Sequence, residues 1–279
     1  DVIVASFPKT GTTWARHIVR HLYYRNDENV MAMTKTMTMP TIYLETGIPI
    51  FEASKFELLE KLPWKKRVMA THVPTQLLDL EKIKSAGAKI IYTIRNPKDQ
   101  LVSWYHMTNS FPPNPHDIKR QIEMYPKDWN SFFESSKQLL GNKEGEWYME
   151  NLLSWYPHRN DENVLFVYFE DLIQDSEKEI KRIADFLGVS VTPEDVSCIA
   201  NATSFVSMKQ QSSSGEQMIN FYRKGRNIRL FSLLHVTLLG KVGDWKNHFT
   251  VAQSERMDAL VKEKLSGTDI QFTYELQRE

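Results

Sequence analysis

Four short apolar runs constrain the fold of this chain more than any other feature: Val2-Ile3-Val4-Ala5, Arg67-Val68-Met69-Ala70-Thr71, Ala88 to Ile94, and Val164-Leu165-Phe166-Val167-Tyr168-Phe169. Each is strand-length, and each is followed by residues with helical spacing. After the first run, for example, Trp14, Ile18, Val19 and Leu22 mark one helical face from Ala15 to Tyr24. Strands that alternate with helices pair in parallel, with both faces of the sheet covered. The expected fold is therefore α/β, a central parallel sheet flanked by helices. No repeat or linker divides residues 1–279, so a single domain is expected. In such sheets ligands bind outside the carboxyl ends of the strands. Lys9, His72, Arg95 and the Phe169-Glu170 pair all fall there.

Further helices are expected over Glu52–Lys61, Gln76–Lys84, Pro97–His106, Trp129–Lys137, Glu146–Tyr156, Glu177–Leu187, Pro193–Asn201 and Ala252–Leu265. Pro97 suits a first helical position, and Gly188 suits a helix end. Residues 26–50 read as a long loop whose Met31, Met33, Met37 and Met39 would line an apolar pocket or fill the core. Residues 109–117 and 210–216 read as loops.

The turn Ser6-Phe7-Pro8-Lys9-Thr10-Gly11-Thr12-Thr13-Trp14 joins the first strand to the first helix. The amides of a helix N-terminus favour an anion, and Gly11 lets backbone approach it closely. Lys9 adds a positive charge, and Thr12 and Thr13 add hydroxyls. The lysine precedes the glycine, so an ordinary ATP loop of the form G-x-x-x-x-G-K-[ST] is a poor match. Arg95 with Ser103 pairs a guanidinium fork with a hydroxyl, which suits a phosphate dianion or, equally, a structural ion pair. His72 ends a strand near the same loop, where a histidine can accept a proton near neutral pH.

Lys+Arg and Asp+Glu are 35 each, which argues against a partner held by bulk charge, whether nucleic acid or membrane. The single cysteine, Cys198, forms no internal disulfide and fits a reducing compartment. No run is long and apolar enough to span a bilayer. No His, Cys, Asp or Glu set has metal-ligand spacing, so no metal is expected. There is also no G-x-S-x-G elbow. The chain begins at Asp1, already inside a strand, so an N-terminal segment is expected to be missing.

These residues assemble into a pattern that resembles the cytosolic sulfotransferases. The pattern is Phe7 to Trp14, Thr71-His72-Val73-Pro74, Arg95-Asn96-Pro97-Lys98-Asp99 with Ser103, Thr203-Ser204-Phe205, Arg223-Lys224-Gly225 and Gly243-Asp244-Trp245-Lys246. The resemblance implies a P-loop-like three-layer fold and a cytoplasmic enzyme. Its donor would be 3′-phosphoadenosine 5′-phosphosulfate (PAPS), leaving 3′-phosphoadenosine 5′-phosphate (PAP). The sulfuryl group would pass to a hydroxyl or amine of a small, largely apolar acceptor such as a phenol or steroid. It implies His72 as general base, with Lys9 and Ser103 as the other catalytic residues. Lys9, Thr10, Gly11, Thr12, Thr13 and Trp14 would hold the 5′-phosphosulfate and adenine edge. Arg95, Ser103, Phe221, Tyr222, Arg223, Lys224 and Gly225 would serve the 3′-phosphate region. Phe169, Thr203, Ser204, Phe205 and Met208 would contact adenine. Lys246, Thr250, Val251 and Glu255 fit the family's short homodimer motif.

Three departures stand out. Ala70 replaces a lysine the family often carries two residues before the histidine, and Phe169 replaces a tyrosine. Residues 226–240 are an apolar insertion whose removal restores the family spacing, which reads as a gene-model artefact or as a lid. They motivate one rival reading, a nucleotide-binding homodimer with impaired turnover; a second rival is a related dehydratase acting through a sulfated alcohol. Trp104, Tyr105, Phe111, Trp147 and Tyr148 suit either the acceptor pocket or the core.

Overall fold

A computed structural model describes residues 1–35, 43–45, 66–110, 119, 122–123, 125–135, 147–208 and 241–276. The four apolar runs form strands β1 (Val2–Ser6), β2 (Val68–Thr71), β3 (Lys89–Ile94) and β4 (Val164–Tyr168), in the order β2-β1-β3-β4. All pairings are parallel. Val4 sits opposite Ala70 on one side and Ile91 on the other, so β1 lies between two partners and every one of its residues is buried.

The helices, in chain order, are α1 (Thr12–Tyr24), α2 (Glu28–Lys35), α3 (Leu80–Ser85), α4 (Pro97–Asn109), α5 (Trp129–Ser135), α6 (Tyr148–Trp155), α7 (Phe169–Gln174), α8 (Ser176–Leu187), α9 (Pro193–Ala202) and α10 (Val251–Lys264). Strand alternation divides their packing. Val2, Val4, Ile91 and Val167 face Ile18 and Val19 of α1, Ile180 and Ile183 of α8, and Ile199 of α9. Ile3, Ile90, Tyr92 and Ile94 face Leu101 of α4, Phe132 and Phe133 of α5, Leu152 and Trp155 of α6, and Met257 of α10. Period-two side-chain alternation thus builds two cores from one sheet, the three-layer arrangement expected.

Three expected element assignments are corrected. Part of the 26–50 loop is helical, because the Asp27 carboxylate accepts the Val30 amide at 3.0 Å and so caps α2. The Gln76–Lys84 helix is broken. A 3-10 turn over Thr75–Leu77 follows Pro74, and Asp79 caps the shorter α3 by accepting from the Lys82 amide. The fourth strand stops at Tyr168, and Phe169 opens α7, a helix the periodicity did not reveal. The expected caps are present: Pro97 lies in the first turn of α4, and Gly188 closes α8 at φ 68°. The Glu52–Lys61 helix and the 210–216 loop lie outside the described residues.

Candidate active site

Because the strands are parallel, their carboxyl ends share one edge. Ser6, Thr71, Ile94 and Tyr168 end the four strands, so Lys9, His72, Arg95 and Phe169 emerge from that edge. The turn after β1 is held on several sides. Thr10 Oγ1 donates to the Phe7 carbonyl at 2.8 Å and lies 3.1 Å from Thr93 Oγ1, and Gln100 Nε2 donates to the Pro8 carbonyl at 2.9 Å. Lys9 adopts φ 72°, a left-handed conformation uncommon for a side chain with a Cβ and concentrated at functional sites. Gly11 has φ 120°, and a Cβ there would stand 3.4 Å from the Phe169 ring. Gly11 caps α1 without any side-chain hydrogen bond, and the first turn of α1 carries no acidic residue.

The charge at this turn is unusually concentrated. Burial, followed by the neighbouring Arg95 guanidinium, lowers the Lys9 ammonium to a pKa of about 8. One Arg95 terminal nitrogen donates to the Lys9 carbonyl at 3.4 Å and the other to the Lys241 carbonyl at 3.3 Å. The guanidinium also stacks 4.2 Å from the Phe169 ring centroid. The Asp99, Glu170 and Asp244 carboxylates partly offset the burial of Arg95.

His72 is wired to the same turn. Its Nδ1 lies 2.8 Å from the Ser6 carbonyl oxygen and 3.1 Å from Ser6 Oγ, and Ser6 Oγ lies 2.6 Å from Thr12 Oγ1. A carbonyl only accepts, so Nδ1 carries the proton and Nε2 carries the lone pair. The Glu45 carboxylate accepts from Thr71 Oγ1 at 2.9 Å and from the His72 amide at 2.8 Å, while Asn151 Nδ2 donates to the His72 carbonyl at 3.1 Å. Burial lowers the imidazole's pKa below its ordinary value, opposed by the Ser6 carbonyl and the Glu45 carboxylate. Tyr43 lies 4.9 Å from the His72 ring, centroid to centroid.

Trp14, Phe169 and Phe205 form an aromatic group, with centroids 4.6 Å apart for Trp14–Phe205, 5.6 Å for Trp14–Phe169 and 6.0 Å for Phe169–Phe205. Met208 is buried in the same cluster. Trp14 Nε1 and Arg95 Nε are buried without a hydrogen-bond partner among the described residues. Ser103 is buried on α4. Thr203 and Ser204 use their hydroxyls locally, donating to the Ile199 carbonyl at 2.8 Å and to Ser207 Oγ at 2.9 Å. Phe221, Tyr222, Arg223, Lys224, Gly225 and the 226–240 insertion lie outside the described residues.

A second joint lies beside Arg95. The Asn96 side chain caps α4, and the Glu170 carboxylate accepts from the Asn96 amide at 2.8 Å and from Asn96 Nδ2 at 3.0 Å. The Asp99 carboxylate accepts from the Gly243 and Trp245 amides at 2.8 and 2.9 Å, docking the Gly243-Asp244-Trp245 segment onto α4. Burial raises Glu170 to about 7, against the pull of the Asn96 amide. Lys98 stacks 4.3 Å from the Trp245 ring centroid. Sequence reasoning missed Ser6, Glu45 and Asn151 as supports of His72. Ser6 was adjacent to the loop motif, whereas Glu45 and Asn151 carried no signal at all.

The Sulfotransferase domain family model matches residues 1–269, nearly the whole chain. The chain belongs to the sulfotransferase family. Sulfotransferase 1B1 from Mus musculus is 34% identical over 279 residues, covering 99% of this chain and 86% of that protein. The crystal structure of mouse sulfotransferase SULT7A1 complexed with PAP is similar at TM-score 0.69 and 30% identity, covering 96% of this chain and 86% of the other. A structure of retinol dehydratase in complex with androsterone and inactive cofactor PAP, at TM-score 0.73 and 23% identity, covers 98% and 82% and shares the fold.

Trp147 and Tyr148 belong to the core, and Tyr148 bridges the Arg95 amide and carbonyl at 2.9 and 2.7 Å. Trp104 and Tyr105 pack against that core half-buried. Phe111, Met37 and Met39 lie outside the described residues, while Met31 and Met33 fall in α2. In the dimer-motif segment, Thr250 caps α10 through the Gln253 amide and Lys246 pairs with Glu275 at 2.6 Å. Val251 is 76% exposed. Among the described residues no helix is long and apolar enough to cross a membrane.

Proposed function

We propose that this sulfotransferase uses PAPS as donor and sulfates the hydroxyl or amine of a small, largely apolar acceptor, with His72 as general base. The observation that carries the proposal is the pairing of an uncapped, lysine-bearing helix N-terminus with a histidine whose Nε2 holds the lone pair. The residues suit this donor. The α1 amides and Lys9 match a phosphosulfate, the Arg95 fork matches a second anionic group, and Trp14, Phe169 and Phe205 offer ring faces to adenine. Trp14 Nε1 and Arg95 Nε, unpartnered among the described residues, are buried donors that a ligand acceptor would satisfy. When bound, the donor supplies the sulfuryl group and keeps its electron pair on the departing phosphate.

His72 Nε2 takes the proton from the acceptor hydroxyl, while the Nδ1–H bond to Ser6 holds the ring in the required tautomer. Lys9 and the α1 amides face the negative charge that grows on the leaving oxygen, already oriented before the reaction begins. Ser103 and Arg95 act from α4 and the β3 end on the 3′ side of the donor. Phe169 keeps the stacking surface but lacks the hydroxyl of a tyrosine, which weakens donor binding by about 1 kcal/mol. Tyr43 beside His72 gives a flat acceptor such as a phenol a ring to lie against. The exposed Val251 supports a small two-fold contact and hence a homodimer.

Incubation with radiolabelled PAPS and a panel of phenols, steroids, retinoids, catechols and amines tests the reading. A sulfated product upholds it. A dehydrated product or no transfer overturns it, in favour of the dehydratase or the impaired binder respectively.

A further inference from the structure

Three potential metal ligands, one from α4 and two from a single turn, meet at the distal end of α4. His106 lies in the last turn of α4, Asp244 opens a 3-10 turn over Asp244–Asn247, and His248 follows that turn. One ligand atom from each lies within 4.8 Å of the other two. His106 Nε2 and His248 Nε2 are 3.0 Å apart. His248 Nδ1 lies 3.3 Å from the Asp244 carbonyl oxygen, which only accepts. The proton of His248 therefore sits on Nδ1, and its Nε2 lone pair points at His106. His106 must donate its Nε2–H across the contact.

That contact has the shape of an ion site. Two imidazole nitrogens on one tetrahedral zinc, each about 2.0–2.1 Å from it, stand about 3.4 Å apart, so the pair needs to open by only ~0.4 Å. An ion would replace the Nε2 proton of His106, which moves to Nδ1 with no net proton release. The His248 Nδ1–H···O=C bond is the kind of support that fixes a ligating imidazole. Packed rings restrain both histidines: Tyr105 lies 5.2 Å from His106, and Trp129 lies 5.4 Å from His248. Two imidazoles and a carboxylate suit a borderline divalent ion better than Mg2+ or Ca2+.

We propose that His106, Asp244 and His248 form a binding site for a divalent transition-metal ion, with zinc as the probe, which clamps the 243–248 segment to α4. Asp99 already fastens that segment near the start of the helix, through Gly243 and Trp245. The ion would fasten its other end one turn beyond Ser103, stiffening the segment that leads into α10. Expected spacing along the sequence gave no hint of this site, because one ligand comes from α4 and two from a turn that only the fold brings alongside.

The test is calorimetric titration of metal-depleted protein with Zn2+, paired with Co2+ absorption and thermal unfolding. Wild type should bind one zinc per chain, show Co2+ bands of a nitrogen–oxygen tetrahedral site, and melt at a higher temperature with zinc. His106→Gln and His248→Gln should each weaken binding by about tenfold or more and abolish the thermal shift, while melting like wild type in chelator. His158→Gln, a histidine paired with Asp161 elsewhere, should change nothing. Should either glutamine variant unfold, Asp244→Asn, which keeps the shape of the turn, must show the loss of affinity instead. Absence of saturable one-to-one binding overturns the proposal, as does equal zinc affinity in the folded variants.

Discussion

Helices α1 and α4 begin at the same sheet edge and are both 13 residues long, yet their N-termini are built in opposite ways. Helix α4 is closed by the protein itself. Asn96 caps it, Asp99 stands in its first turn, and Glu170 holds the capping residue. Helix α1 starts from Gly11 with no side-chain cap and no acidic residue in its first turn, and Lys9, beside the Arg95 guanidinium, lies in the turn that leads into it. The positive end of a helix dipole needs a negative partner. At α4 that partner is a set of resident carboxylates, which turns the helix start into a joint. At α1 the first turn itself carries no acidic residue and Gly11 brings no capping side chain, which suits a helix start that receives an anion from outside.

Removing the charge at the open end should have the largest effect. Lys9→Ala should lower kcat by roughly 10²–10³-fold, since its charge acts on the transition state more than on the ground state. Circular dichroism should be unchanged, and a variant with wild-type kcat would remove Lys9 from the chemistry. At the closed end the loss should appear in folding. Asp99→Ala should cost roughly 1.5–3 kcal/mol for each charge-assisted bond to Gly243 and Trp245, read by denaturant unfolding. If stability held while PAP affinity collapsed, α4 and not α1 would be the anion-binding helix.

Making α1 resemble α4 sharpens the contrast. Thr13→Glu should stabilise the free protein by about 0.3–1 kcal/mol through the dipole and weaken PAP binding by about tenfold or more through repulsion. Equal PAP affinity in calorimetry would show that the open end is not where the anion sits.

Glu170 provides a pH signature for the closed end. Its folded pKa is raised to about 7 from an ordinary 4.5, so the folded state binds its proton more tightly than the unfolded state does. Its contribution to stability is present below about pH 4.5 and is lost as pH rises through about 7. Stability of wild type relative to Glu170→Gln should therefore fall between pH 5 and pH 8, and a constant difference would contradict the assignment. Val251→Glu should have the smallest effect on the single chain, within about 0.5 kcal/mol at an exposed position. It should nonetheless shift sedimentation toward monomer, and an unchanged dimer would rule out the Val251 contact.

Much of this contrast was legible in the sequence because it depends on local order. Strand runs, the Lys9-to-Thr13 turn, Asn96-Pro97 and the placement of His72 and Arg95 all follow from neighbours along the chain and from the parallel-sheet rule. What stayed hidden depends on distance through space. Glu45 reaches His72 across an isolated bridge between Tyr43 and Ala70, and Asp99 receives amides from Gly243 and Trp245. The tautomer of His72 needed the Ser6 carbonyl in view. Helix α7 escaped notice because Phe169 continues the apolar run of β4 without a break signal. Trp147 and Tyr148 suited a pocket as well as a core by type, and only packing assigned them to the core.

The most direct test of the open-end account is the pH dependence of kcat/KM for sulfuryl transfer from PAPS to a phenol. This quantity reports the free enzyme, in which burial holds His72 below its ordinary value of 6.5 and holds Lys9 at about 8. The account predicts a bell with an acid limb below pH 6.5 and an alkaline limb near pH 8, and in Lys9→Arg the alkaline limb should move to higher pH. A wild-type profile that stays flat through pH 8, or an alkaline limb unmoved in Lys9→Arg, would contradict it.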